Sequence, residues 1–84
     1  MHWDVQSVRL TGPLSFEVQF QDGLIGQVRL ESSYLTGVFE TLKDPLIFNR
    51  IHIEGGAVAW PGNLDLAPDA MYAEIKERGE WVLR

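Results

Sequence analysis

The stretch Leu14-Ser15-Phe16-Glu17-Val18-Gln19-Phe20 decides the fold, because its apolar and polar residues alternate without a break. Leu14, Phe16, Val18 and Phe20 fall on one side of an extended chain and Ser15, Glu17 and Gln19 on the other, the period of a strand with one wet face. Upstream, Val8 and Leu10 keep the even parity, Ser7 and Arg9 take the odd side, and Thr11-Gly12-Pro13 supplies a turn. Downstream, Gln21-Asp22-Gly23 fits a three-residue hairpin loop with the glycine left-handed. Side-chain facing discriminates between loop lengths. A three-residue loop sets Phe20 opposite Leu24, Phe16 opposite Val28 and Leu14 opposite Leu30, whereas a two-residue Asp-Gly turn throws Val28 and Leu30 onto the wrong face. Residues 5–31 are therefore expected to form a three-stranded antiparallel meander with Arg9, Glu17, Gln19, Gln27 and Arg29 outward.

Beyond it the period changes. Leu35, Val38, Phe39 and Leu42 recur at three- and four-residue spacing, and Asp44-Pro45 reads as an N-cap with proline at the first helical position. Two short helical segments between Tyr34 and Asn49 follow, stabilised by packing on the sheet. Alternation returns at Ile51-His52-Ile53, and Gly55-Gly56 makes a two-residue turn that sets Ile53 opposite Val58 and Ile51 opposite Trp60. His52 and Ala59 fall on the other face, while Trp60 packs in the core with Ile51 and Phe48. Pro61-Gly62-Asn63 ends that strand. Pro68 opens a helix to about Arg78, with Met71 and Ile75 inward, Tyr72 beside them, Glu74 and Arg78 outside and Gly79 as a stop. The expected fold class is α+β: a three-stranded antiparallel meander, two short helical segments, a β-hairpin and a C-terminal helix. Residues 1–84 form one small domain, with 79–84 as a C-terminal tail.

Zero cysteines exclude disulfides, thiolate metal sites and cysteine nucleophiles. Seven basic against twelve acidic residues give a net charge of −5, which repels phosphate backbones, so no direct nucleic-acid binding is expected. Arg9 and Arg29 read instead as part of a solvated ion-pair cluster around Glu17. Met1-His2-Trp3-Asp4 lacks the basic start and apolar run of a secretory signal, and no stretch is long enough to span a membrane. The expected location is the cytoplasm.

Catalytic chemistry finds little footing. A histidine metal site needs about three convergent ligands, and the chain has only His2 and His52. Asp65 and Asp69 lack a calcium-loop spacing and read as a turn residue and a helix-dipole partner. Ser32 or Ser33 with His52 and Asp44 names a triad by residue type alone, with no strained elbow to present the serine. No catalytic residue, metal or cofactor is therefore expected, and the chain reads as a non-enzyme. Apolar residues at wet positions point to association. Trp3, Val5 and Ile25 carry the odd, outward parity of the meander, and Trp81, Val82 and Leu83 extend past the last helix. These six are the interface candidates, for a protein partner or a homo-oligomer. The alternative is a small-ligand binder with a cleft between sheet and C-terminal helix, for which His52, Asp65 and Tyr72 are the pocket candidates.

Three separated runs carry a resemblance: Gly37-Val-Phe-Glu-Thr-Leu-Lys-Asp-Pro-Leu-Ile-Phe48, the hairpin Ile51-His-Ile-Glu-Gly-Gly-Ala-Val-Ala-Trp60-Pro, and Asp65-Leu-Ala-Pro-Asp-Ala-Met-Tyr72. Together with the loop Phe20-Gln-Asp-Gly23 they resemble, over residues 5–75, the prokaryotic family known as domain of unknown function 2442. Met71 stands where that family commonly has leucine, and Leu24, Ile25 and Gly26 where it tends to be polar. The family has no established activity, so the resemblance implies no catalytic residue. Some of its members are fused to a helix-turn-helix domain or encoded beside a second small protein. That arrangement implies a regulatory or antitoxin-like role in a two-protein system.

Overall fold

Val5–Gly12 (β1), Ser15–Phe20 (β2) and Ile25–Leu30 (β3) form consecutive antiparallel neighbours in the computed structural model, which describes residues 1–84. Phe16 lies opposite Val28 and Ser15 opposite Arg29, and the Phe20 amide donates to the Leu24 carbonyl at 2.8 Å. The three-residue loop is thus the one that forms, with Gly23 at φ 95°. Its consequence is the buried row Phe16, Val18, Phe20 and Val28, all fully inaccessible. Leu14 belongs to the turn, at φ 75°, and still accepts the Leu30 amide at 2.9 Å.

The parity of β1 departs from expectation at its start. Val5 lies opposite Phe20, but Ser7 lies opposite Gln19, so Gln6 is an extra residue on this strand. Such a bulge reverses the facing of everything before it. Val5 therefore points inward and is 4 % exposed, and its amide donates to the Gly56 carbonyl at 2.8 Å, tying β1 to the second hairpin.

The segment after β3 begins with 3₁₀ turns at Ser32–Tyr34 and Gly37–Lys43, then the short helix Pro45–Phe48 (α1). A 3₁₀ helix repeats every three residues, so Phe39 stacks with Leu42 while Val38 stacks with Thr41. Leu42 is consequently buried and Val38 is 70 % exposed, against its expected place on the inner face. The Asp44 carboxylate accepts the Leu46 amide at 3.0 Å, the expected cap with Pro45 in the first turn.

His52–Glu54 (β4), Ala57–Trp60 (β5) and Leu64–Asp65 (β6) make a second, three-stranded sheet with β5 central. Gly55 and Gly56 both take positive φ, 59° and 80°, as the two-residue turn requires. Ile53 lies opposite Val58 as expected. The pairing of Trp60 with Leu64 across Pro61-Gly62-Asn63 adds a strand too short to carry an alternation signal. The Trp60 Nε1–H donates to the Phe48 carbonyl at 3.1 Å, and its ring meets Phe16 edge-on at 6.0 Å. The core between the layers is one cluster of 17 buried residues.

Pro68–Arg78 (α2) ends at Gly79, which is left-handed at φ 80°. Met71, Tyr72 and Ile75 are buried and Glu74 bridges to Arg78 at 3.1 Å, as the spacing predicts. Gly26 lets this helix close on β3: a Cβ there would lie 2.3 Å from Ile75 Cγ2. The expected tail is instead a strand. Glu80–Leu83 (β7) runs parallel to β3, with Trp81 opposite Val28 and Leu83 opposite Leu30, and completes a sheet ordered β1-β2-β3-β7. Val28 and Leu30 face inward, so Trp81 and Leu83 do too, and Leu83 is buried. No helix is long and apolar enough to cross a membrane.

Candidate functional site

The hairpin loop between β2 and β3 is held from two sides. One Asp22 oxygen, Oδ1, accepts the Leu24 amide at 3.0 Å and shapes the loop; the other, Oδ2, accepts the Tyr72 hydroxyl from α2 in a short hydrogen bond. Tyr72 reaches it because its ring packs edge-on against Phe20 at 5.0 Å, which fixes the hydroxyl beyond the sheet margin. His2 sits edge-on to the same ring at 4.9 Å and to Trp3 at 4.9 Å, while the Lys76 ammonium lies 5.7 Å from the Tyr72 centroid. The Tyr72 donor, helped by the Leu24 amide, holds the Asp22 carboxyl below its ordinary range. The Asp22 acceptor, helped by burial, pushes the Tyr72 hydroxyl above its own.

A second feature lies on the opposite layer. Val38, Thr41, Ile47, Pro61, Gly62 and Leu64 line an open groove of about 450 Å³ between the longer 3₁₀ turn, α1 and the β5–β6 turn. Val38, 70 % exposed, lines it, and Leu46, 76 % exposed, precedes the lining residue Ile47 on α1. The 3₁₀ stacking that turns Phe39 and Leu42 inward is what leaves Val38 outside. Three-residue spacing in Val38-Phe39-Glu40-Thr41-Leu42 was the signal for this face; an α-helical reading of the same residues hides it.

The interface candidates are dispersed. Val5 and Leu83 are buried and offer no surface, corrections that follow from the bulge at Gln6 and from the pairing of β7. Trp81 faces inward beside Val28, and Trp3 is half-buried against the core. Ile25, 53 % exposed, and the half-buried Val82 are the two that stand on the outer face, Val82 opposite Arg29. The pocket candidates also separate. His52 and Asp65 are exposed on one row of the second sheet, flanking Ala59, whereas Tyr72 is at the Asp22 loop. No concavity is lined by any of the three. Asp65 sits in β6 and not in a turn, while Asp69 is in the first turn of α2 as expected. Arg9 bridges to Glu17 at 3.2 Å, and Gln27 donates to Glu17 at 3.4 Å.

The family model described as protein of unknown function (DUF2442) matches residues 5–77. The chain belongs to the DUF2442 family. No curated protein and no solved structure matches it. In this DUF2442 chain, the motif residues noted in the sequence have structural tasks. Asp44 caps α1, Leu42 and Phe48 fill the core, and Trp60 bonds the Phe48 carbonyl. The Phe20-Gln-Asp-Gly loop and the helix that carries Tyr72 are joined through Asp22, where a solvent or backbone acceptor for the hydroxyl would have been the simpler expectation. Gly26, where polar residues are usual in the DUF2442 resemblance, is the contact point of α2 on the sheet.

Proposed function

We propose that this DUF2442 chain is a non-enzymatic protein-interaction module that receives a partner protein on the groove between the longer 3₁₀ turn, α1 and the β5–β6 turn. The observation that carries the reading is Val38, 70 % exposed on the lining of an apolar trough, with Leu46, 76 % exposed, adjoining the lining residue Ile47 in α1. Large aliphatic side chains held in water on short helical segments contribute nothing to this chain's core. They gain about 1.5–3 kcal/mol each when a partner buries them. Ile47 and Leu64 supply a floor anchored in the core, so the surface is formed before a partner arrives. A regulatory or antitoxin-like member of a two-protein system would use such a face to hold its companion.

The test compares tagged wild-type chain with Val38→Asp and Leu46→Asp, both of which should keep the wild-type circular dichroism and melting temperature. Proteins from a prokaryotic lysate that co-purify with the wild type and are lost with both variants support the reading. An identical set of companions for all three chains counts against it.

A further inference from the structure

β7 is an edge strand, and its open side has a pattern of its own. The Leu83 carbonyl accepts the Glu31 amide at 2.8 Å, so Leu83 turns its peptide groups toward β3. Alternation then turns the N–H and C=O of Glu80 and Val82 to the open edge, and no turn or loop backbone bond engages them. A trough of about 230 Å³ runs along this edge, lined by Glu74, Arg78, Glu80, Val82 and Arg84. An unpaired edge invites another strand, and edges protected from self-association carry side chains that repel their own copies.

Here the side chains do the opposite. An antiparallel pairing of Glu80-Trp81-Val82-Leu83-Arg84 with itself, centred on Val82, sets Glu80 opposite Arg84 of the second copy, and Arg84 opposite its Glu80. Val82 meets its own copy on the two-fold axis. The register agrees with the backbone, because Val82 and Glu80 are the residues whose peptide groups face outward and would form the hydrogen-bonded pairs. Trp81 falls opposite the second copy's Leu83 in the closer, non-hydrogen-bonded position on the core side, which joins the two cores. Glu74 and Arg78, bridged to each other at 3.1 Å, line the same edge without adding net charge to it, so Glu80 and Arg84 are the self-complementary pair an isologous contact requires.

We infer that two copies of this chain pair antiparallel through β7, with Val82 on the two-fold axis, joining their four-stranded sheets into one continuous sheet. The ladder is short and belongs with interfaces at or below ~1,200 Å², so the dimer dissociates on dilution. This contact is separate from the groove at Val38, and neither inference depends on the other.

Sedimentation equilibrium from about 1 μM to 1 mM tests it, at low salt where the charge pairs are least screened. The wild type should pass from monomer to dimer. Val82→Pro, which removes the central amide from an edge where the fold does not use it, should stay monomeric with an unchanged far-ultraviolet spectrum. Glu80→Arg should weaken the dimer about tenfold by setting arginines opposite each other, and Glu80→Arg with Arg84→Glu should restore it. A wild type that stays monomeric overturns the inference, as does a dimer that neither single variant weakens. Failure of the charge exchange to restore pairing overturns it as well. Should Val82→Pro fail to fold, the charge series alone decides.

Discussion

The Tyr72 hydroxyl of α2 donates to the Asp22 carboxylate in the hairpin loop, 50 residues earlier in the chain. The contact ties the last helix to the first hairpin at the point where the loop is built, since the second Asp22 oxygen holds the Leu24 amide. Two consequences for pH follow. Asp22 is lowered from 3.8, chiefly by Tyr72 and then by Leu24, so its contribution is present above that value and is lost as pH falls through the lower folded value. Tyr72 is raised from 10.0, chiefly by Asp22 and then by burial, so its contribution is full below that value and is lost as pH rises through the folded one. Urea midpoints measured against pH should form a plateau between these limits. Asp22→Asn should lower the plateau and flatten its acid limb, and Tyr72→Phe should flatten the alkaline limb. Unchanged limbs would show that the bond contributes nothing to stability.

Gly26→Ala should destabilise the chain by about 1–3 kcal/mol through overpacking. The new Cβ would sit 2.3 Å from Ile75 Cγ2 and 3.0 Å from the Gly79 carbonyl, and a backbone oxygen gives way less readily than a side chain. Ile75→Ala removes the first obstacle and leaves a cavity of its own. The double variant should therefore be less damaged than the sum of the single ones, a coupling that urea denaturation of all four chains reads directly.

The elements that could be read from sequence are those whose signal is local. Leu14 to Phe20 alternate over several residues, Gly55-Gly56 determines a turn by itself, and Asp44-Pro45 and Gly79 mark helix ends by their own chemistry. One failure is local, the exposed Val38, where a 3₁₀ repeat carries an α-helical spacing; the others are not. Nothing in Val5-Gln6-Ser7 announces a bulge, yet that one residue moves Val5 from the outer face to the core. Glu80-Trp81-Val82-Leu83 is too short to show a period and becomes a strand because β3, far earlier in the chain, offers an edge. The carboxylate that receives Tyr72 is equally distant, so its residue type was visible but its partner was not.

Trp60→Phe tests the hinge between the layers. Its indole N–H satisfies the Phe48 carbonyl in a buried bond at 3.1 Å, and the ring also contacts Phe16 and Phe48 at 6.0 and 5.8 Å. Phenylalanine keeps an aromatic ring but orphans a buried acceptor and leaves space unfilled, costing about 2–4 kcal/mol. Chemical denaturation should show that loss with little change in the slope. A variant as stable as the wild type would mean that α1 does not depend on this bond.

Asp44→Ala removes the one side chain that caps α1. The helix is a single turn, Pro45–Phe48, so the Leu46 amide at 3.0 Å from Asp44 has no helical carbonyl to fall back on. Loss of such a cap costs about 1 kcal/mol, which in a domain of this size lowers the melting temperature by roughly 4–8 °C. Asn at the same position keeps an acceptor oxygen, so Asp44→Asn should lose only a fraction of that. Equal losses for the two variants would assign the effect to the carboxylate charge and not to capping. Because α1 carries Ile47, which lines the Val38 groove, fraying of its first turn should also weaken capture of any partner held there. A co-purification yield that tracks the melting temperature across Asp44→Asn and Asp44→Ala would connect the cap to the surface it supports.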